Sequence, residues 1–413
     1  MQAAGKCRLP NPFKNNYAML KYFTIISIFL ASCHKPEIPP VQNTNANATE
    51  IIWNVKTKYG GINAQTLQIA INEAIQKRIQ KPDSTVVLLL DNGIYYLNKQ
   101  LEVHGTNEMG TGWLILRGQG ESQTELVDTE YASATDNTFD FVTPYRVKLE
   151  KFRISGQKLT SSQGTVLSVN GSNNTLDVRI DNGYPNIDEL YGIADSQANK
   201  LRIFDETGAD GVPHFVEGPA NDHYLYRINF SGNDVAGKEP VLIGANTWRL
   251  TFPNSFATVA TQNFPGKRIG ISSKSNRSNW AAFSAGGKDF VVQDVSLLRL
   301  GRCKFRGPWT NIRFANVKII RPTVNGKISF YSTDAGPQIG QDSDAADLNN
   351  ITVEDCDFRG TVDDASAFQK VKSGLISNTH WEDGGGVLIG VNCGQNLILQ
   401  NNTYVHCPLE DMR

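Results

Sequence analysis

The chain has 413 residues, with 36 glycines, 20% charged residues and a formal net charge of -1. It is long enough to bury a large core, and without a basic excess it offers nothing to draw nucleic acid.

Lys14 and Lys21 flank a start-like Met19, an apolar run follows from Tyr22 to Leu30, and Leu30-Ala31-Ser32-Cys33 closes the run with small residues. Such a run is too short for a permanent membrane span and has signal-peptide layout. Residues 1–33 are therefore read as a signal region, its first 18 residues as an upstream misread start. The Leu-Ala-Ser-Cys end resembles the bacterial lipoprotein signal, which implies lipidation of Cys33 and a lipid anchor in the cell envelope; an ordinary secretory signal is the alternative. Residues 34–49, with three prolines in an Asn/Thr/Ala-rich stretch, read as a flexible tether.

Residues 50–157 are expected to hold an N-terminal cap and the first strands. From Asn63 onward, Leu67, Ile71, Ile75 and Ile79 recur every four residues among good helix formers, predicting an amphipathic helix. A helix there can cover strand edges that would otherwise pair with other chains. Val86–Leu90, Ile94–Leu97, Trp113–Arg117 and Arg146–Ile154 read as strands between Gly-rich turns.

Over residues 158–275 the alternating stretches lengthen, as in Thr165–Val169, Thr175–Ile180, His223–Phe230, Glu239–Ile243 and Trp248–Phe252. Asn170-Gly171 and Asp181-Asn182-Gly183 look like hairpin turns, so this region is expected to be an inserted antiparallel β-domain.

Residues 276–413 carry the strongest pattern. In Phe290–Leu297, Ile312–Ile319, Ile351–Phe358, Gly374–Trp381 and Leu397–Tyr404 an Asx residue falls in one column: Asp294, Asn316, Asp355, Asn378 and Asn401. The spacing is roughly 22 residues with one double-length gap, the period of a coil that must stack on its neighbours. Asx side chains supply the bend at each corner. The predicted fold class is all-β: a right-handed parallel β-helix with an N-terminal capping helix and an inserted antiparallel β-barrel-like domain. A β-sandwich with an accidental repeat is the alternative.

The double-length gap leaves room for a coil containing Ile328–Gly336, and the next rung ends in Gly360-Thr361-Val362-Asp363-Asp364-Ala365. Stacked coils lie about 4.8 Å apart, so carboxylates remote in sequence can share one cleft. Adjacent carboxylates repel, which favours a shared proton and so a general acid. A third carboxylate can act on water, and a separation of roughly 6.5–9.5 Å would make an inverting glycosidase. A solvated Asp-Asp turn is the other reading.

With STDAG, NNITVEDCDFRG and TVDDA, the run Gly326–Ala365 resembles the bacterial α-1,3-galactosidase family of glycoside hydrolases, within the pectin-lyase-like parallel β-helix superfamily. That family acts on galactose-terminated, blood-group-B-like glycans. The similarity is clear over Asp289–Ala365 and weaker over the insertion, where GTVLSVNG and VRIDNGYP fit the family's barrel. The resemblance implies an inverting hydrolase of oligo- or polysaccharides whose essential carboxylates match Asp334, Asp363 and Asp364, and it implies no metal or other cofactor. The chain departs from the family after the Asp pair: Ser366-Ala367-Phe368-Gln369 replace an Asn and a His-Gly, so a polar contact to the sugar is lost or moved, with Gln369 in its place. An extra stretch around Gln341–Asp347 adds Asp342, Asp344 and Asp347, read as solvated loop carboxylates or rivals to Asp334.

Around this cleft Trp309 and Tyr331 are candidates for sugar stacking, Arg306 for hydroxyl bonding, and His380 for extending the cleft; packing is the bland role of the aromatics. Cys356 reads as a core residue, and Cys393 and Cys407 are placed to pair in an oxidising compartment. A polysaccharide lyase and a non-catalytic glycan-binding or adhesive protein are the competing function classes.

Overall fold

The computed structural model describes residues 50–104, 110–129, 137–159, 161–191, 199–205, 212–215, 226–228, 240–251, 265–272, 279–284, 286–340, 347–390 and 392–413. The signal region, the tether and Cys33 lie outside them, as do Asp342 and Asp344. Among these residues no helix is long and apolar enough to cross a membrane.

The chain is mostly β, with large parallel sheets consistent with an all-β parallel-helix architecture. One sheet runs in the order Glu50–Asn54, Thr85–Leu89, Leu114–Arg117, Tyr145–Gly156, Gly287–Leu298, Trp309–Ala315, Asn349–Glu354, Ser373–Ser377, Asn396–Gln400. A second runs from Leu101–His104 through Asn137–Val142, Asn279–Ser284, Cys303–Phe305, Pro337–Ile339, Ser366–Phe368 and Val387–Ile389 to Leu409–Asp411. Short strands Lys318–Ile319, Asp357–Arg359, His380–Glu382 and Thr403–Val405 form a third face in parallel register. Each turn of chain therefore lays one strand on each face, directly over its predecessor.

Inward side chains meet in one long core. Phe358, Trp381 and Tyr404 occupy one register column, and the rings of Trp381 and Tyr404 stack 5.2 Å apart at 3°. Phe290, Phe305, Trp309 and Phe314 pack edge to face beside them. These contacts tie neighbouring turns by burial of large aromatic area.

The corners explain the Asx column. Asp294, Asn316, Asp355, Asn378 and Asn401 all take left-handed backbone, with φ between 51° and 54°. Asx residues tolerate that region better than other L-residues. Their side chains also form a ladder: Asn316 Nδ2 donates to Asp294 Oδ1 at 2.8 Å, and Asn378 Nδ2 to Asp355 Oδ1 at 3.1 Å. A second ladder lies five residues upstream, where Asn311 Nδ2 donates to Asp289 Oδ1 at 2.5 Å and Asn350 Nδ2 to Asn311 Oδ1 at 2.6 Å.

The double-length gap holds no extra coil. Trp309–Ala315 pairs directly with Asn349–Glu354, so the interval is one enlarged turn. Part of its surplus leaves as an excursion, Ile320–Gly336, which carries the hairpin Thr323–Val324/Lys327–Ile328.

The helix Ala64–Gln80 begins with a capping box between Asn63 and Thr66 and lies over the first strands. Leu67, Ala70, Ile71, Ala74 and Ile75 are buried; Ile79 is 43% exposed, so the buried stripe leaves the four-residue series at its last member. Arg78 is buried instead, donating through Nη2 to the Gly112 and Tyr145 carbonyls at 2.9 and 3.2 Å. Burial pushes its pKa down to about 10.

Residues Ser161–Ser272 contribute an antiparallel sheet with its own core around Val178, Ile203, Trp248 and Ile271. Its order is His214–Phe215, Asn199–Asp205, Arg268–Ser272, Ser161–Asn170, Thr175–Ile180, Thr247–Thr251, Val241–Gly244, and among the described residues the two end strands do not pair to close a barrel. Asn170-Gly171 begins a hairpin between Ser161–Asn170 and Thr175–Ile180. Asp181-Asn182-Gly183 does not; it leads to the helix Ile187–Tyr191.

Cys393 and Cys407 are free thiols, which corrects the expected pairing. Cys393 Sγ donates to Phe368 O at 3.2 Å, and burial pushes the Cys407 thiol up to about 12. Cys303 and Cys356 are core residues, Cys356 pushed up to about 12 by burial.

Candidate active site

The connections between the third face and the second sheet stack turn upon turn, and they carry two groups of charged side chains. Arg302, Asp334, Asp363-Asp364 and Glu382-Asp383 come from four such connections. Backbone bonds fix their rise: Asp334 N–H donates to Leu300 O at 3.0 Å, Asp363 N–H to Asp334 O at 2.6 Å, and Gly385 N–H to Asp363 O at 2.9 Å. A bridge between Thr333 and Thr361 sets the register.

Asp334 and Asp363 meet on one guanidinium. Arg302 Nε donates to Asp334 Oδ2 at 2.7 Å, and Nη2 contacts the same oxygen and, at 3.2 Å, Asp363 Oδ2. Its Nη1 donates to Gln338 Oε1 at 3.1 Å. Burial opposes the charge on Arg302, but Asp334, Asp363 and Asp364 outweigh it and push its pKa above the usual range. The guanidinium therefore stays charged and cannot accept a proton.

The three carboxylates are not equivalent. Asp334 is only 4% exposed and sits behind Arg302. Asp363 and Asp364 are half-buried and border solvent. Two acceptors on one nitrogen lie within about 6.4 Å of each other at hydrogen-bond distances. Arg302 fills the space between Asp334 and Asp363, so no sugar and water fit there. This arrangement corrects the expectation that Asp334 acts on water across a cleft from the Asp pair.

A second charge group lies one turn beyond. Asp383 Oδ2 contacts Arg321 Nη2 and lies 2.9 Å from His214 Nδ1; Glu382 lies 3.3 Å from Arg321, 3.1 Å from His380 and 3.2 Å from Arg359. The His214 ring stacks on His406 at 4.8 Å. Burial would raise the Glu382 pKa, but His380, Arg321, Arg359 and His214 outweigh it and hold the carboxyl below its usual range. His214, Glu382 and Asp383 offer donor atoms within 4.8 Å of one another, yet two guanidinium groups, Arg321 and Arg359, already pair with the two carboxylates. The set is therefore an ion-pair network and a poor fit for a cation.

Arg321 reaches Asp383 only because Gly360 stands between them. Gly360, Asp383 and His406 share a corner column with φ of 68°, 49° and 46°. A Cβ at Gly360 would lie 2.9 Å from Arg321 Nε and 2.8 Å from Phe330 O. The signal for Arg321 was thus a glycine in a column that elsewhere takes Asp and His. Arg302 and His214 left no periodic signal, because they act across turns or from the inserted sheet.

The expected sugar-contact residues scatter. Trp309 is 1% exposed, packed on Phe290 and Phe305 with Nε1 bonded to Arg306 O, and Tyr331 is 2% exposed between Phe204, Phe330 and Val362. Neither presents a face to a sugar. Arg306 donates from Nη1 to Gly340 O at 2.8 Å, and Gln369 follows the strand Ser366–Phe368 that the Asp pair precedes. Both stand at the far strand ends from the carboxylates. His380 sits at the start of its strand, bound to Glu382 in the second charge group. Asp347 is exposed and lies 3.7 Å from Lys372, away from Arg302.

No protein-family model matches the sequence, and no curated protein matches it. Among solved structures, a "putative glycosyl hydrolase from Parabacteroides merdae" aligns over 86% of this chain and 96% of that one, at 7% identity and a TM-score of 0.29. At that level the likeness carries no argument about this chain.

Proposed function

We propose that the protein is an exported, lipid-anchored glycoside hydrolase built on a right-handed parallel β-helix, with Asp363 and Asp364 as the reacting pair and carbohydrate as substrate. The observation that supports this most is the Asp334–Arg302–Asp363 linkage, which holds one carboxylate of an adjacent, solvent-bordering pair in a fixed position. In this reading Asp363, fixed in place by Arg302, orients the attacking water, and its neighbour Asp364 delivers a proton to the leaving oxygen. Asp334 acts through Arg302 as a positioning residue.

A galactosidase-like, inverting reaction follows the resemblance of the STDAG and TVDDA segments and is the finer part of the proposal. Lyase chemistry is less well served: the guanidinium bonded to Asp363, Arg302, is protonated and donates to carboxylates through Nε and Nη2. The test is incubation with aryl α-galactosides and galactose-terminated oligosaccharides, following the first-formed anomer by proton NMR. Release of the inverted anomer is expected; an unsaturated product, or no turnover across a broad glycoside panel, would overturn the reading.

A further inference from the structure

A cleft of about 560 Å³, whose lining includes none of these carboxylates, lies between the inserted sheet and the hairpin of the enlarged turn. Arg179, Asp181, Asn182, Tyr184 and Asn246 line one side, and Val324, Asn325 and Lys327 the other. Its size falls within the roughly 300–1,000 Å³ usual for small-ligand sites. Catalysis as proposed above makes no use of it.

Its charge is lopsided. Among the described residues of the lining the one carboxylate, Asp181, is held by Arg268, with Nη1 to Oδ1 at 3.0 Å and a further contact from Nη2 to Oδ2, and it also feels the charge of Lys327. Arg179 and Lys327 are exposed and form no ion pair among the described residues. Arg268, Arg179 and Lys327 thus outnumber the single carboxylate among the described residues here, and Arg268 holds it directly.

Polar groups suited to hydroxyls surround them. Asn325 Nδ2 donates to Asn182 O at 2.8 Å and Asn246 Nδ2 to Asn182 Oδ1 at 3.4 Å, which closes three asparagines into one rim. Asn182 Nδ2 and the Oδ1 atoms of Asn246 and Asn325 keep hydrogen-bonding capacity beyond these contacts. The rim is fitted closely: a Cβ at Gly183, whose φ is 88°, would lie 2.5 Å from Asn325 Nδ2. The base is fixed by Tyr184 Oη, 2.7 Å from Ser329 Oγ.

We propose that this cleft is a second binding site, taking an acidic saccharide whose carboxylate or sulfate lies between Arg179 and Lys327 while the asparagine amides bond its hydroxyls. Arginine offers paired donors to such an oxyanion and lysine a point charge. The site is independent of the proposed hydrolytic pair, and it would hold an acidic glycan while other residues of the chain are processed elsewhere.

The test is calorimetric titration of the full-length protein with a trigalacturonate, a sulfated galactose disaccharide, a neutral galactotriose and sodium sulfate alone. At least one acidic saccharide is expected to bind, with affinity reduced fivefold or more by Arg179→Gln or Lys327→Gln and also reduced by added salt. Asp363→Asn should leave that binding intact, which separates this site from the hydrolytic one. Both substitutions are at exposed positions, so folding is retained, and circular dichroism checks it. Absence of binding by both acidic saccharides, equal binding by the neutral sugar, affinity unchanged in the two variants, or sulfate alone binding as tightly as the saccharides would each overturn the proposal.

Discussion

Arg302 Nη2 lies 3.2 Å from Asp363 Oδ2, although 61 residues separate them in the chain. The contact spans two steps of the stack, with Asp334 on the turn between. Its consequence is a guanidinium shared by two carboxylates in a nearly sealed site, where lysine cannot reproduce the forked geometry. Arg302→Lys is therefore expected to lower kcat at least tenfold with a smaller change in KM, and to destabilise the fold by about 1–3 kcal/mol. Steady-state kinetics beside urea unfolding checks both parts.

Gly360 admits Arg321 to Asp383, so a side chain at 360 should be felt in the neighbouring turn as well as at its own corner. Gly360→Ala combines a left-handed backbone with a collision at Arg321 Nε and is expected to cost about 2–3 kcal/mol. Chemical denaturation measures the loss. Gly61→Ala, where a Cβ would meet nothing within 4 Å and no left-handed φ is required, serves as the control with little change.

The Asx ladder makes a graded prediction. Asn316→Gly keeps the left-handed corner but loses the bond to Asp294 and is expected to cost about 1 kcal/mol. Asn316→Val loses the bond and strains the backbone, for roughly 2–3 kcal/mol. Equal losses in the two variants by urea unfolding would show that the backbone conformation contributes nothing.

That ladder also marks how far the sequence alone could be read. The corner column repeats because each turn needs a left-handed residue at the same place, a local requirement that leaves a periodic trace. Asp289, Asn311 and Asn350 leave a similar trace at a constant offset of five residues. Trp309 and Tyr331 were misplaced because an aromatic beside a turn looks alike whether its ring faces the core or solvent. Arg302 and His214 leave no such trace, since their partners lie on other turns and depend on register between distant segments, and Arg321 is marked only through Gly360. The enlarged turn was mistaken for two coils because spacing counts residues and does not distinguish a rung from an excursion.

Acid should weaken the second charge group. Glu382 has its folded pKa below the ordinary 4.5, so it contributes stability that is fully present above pH 4.5 and is lost as pH falls through the lower folded value. Glu150, held below its usual range by Lys148 and Arg117 against the opposing effect of burial, adds in the same direction. Urea midpoints are expected to decline below pH 4.5, and the decline should be shallower in Glu382→Gln. A midpoint that rises on acidification would contradict this sign.

The most direct measurement is turnover of one cleaved glycoside by the parent protein, Asp363→Asn and Asp364→Asn, with circular dichroism confirming that all three are folded. Stacked turns that bring these carboxylates to work on a sugar predict a loss of at least a hundredfold in kcat for each variant. Parent-level turnover in either folded variant would contradict the account.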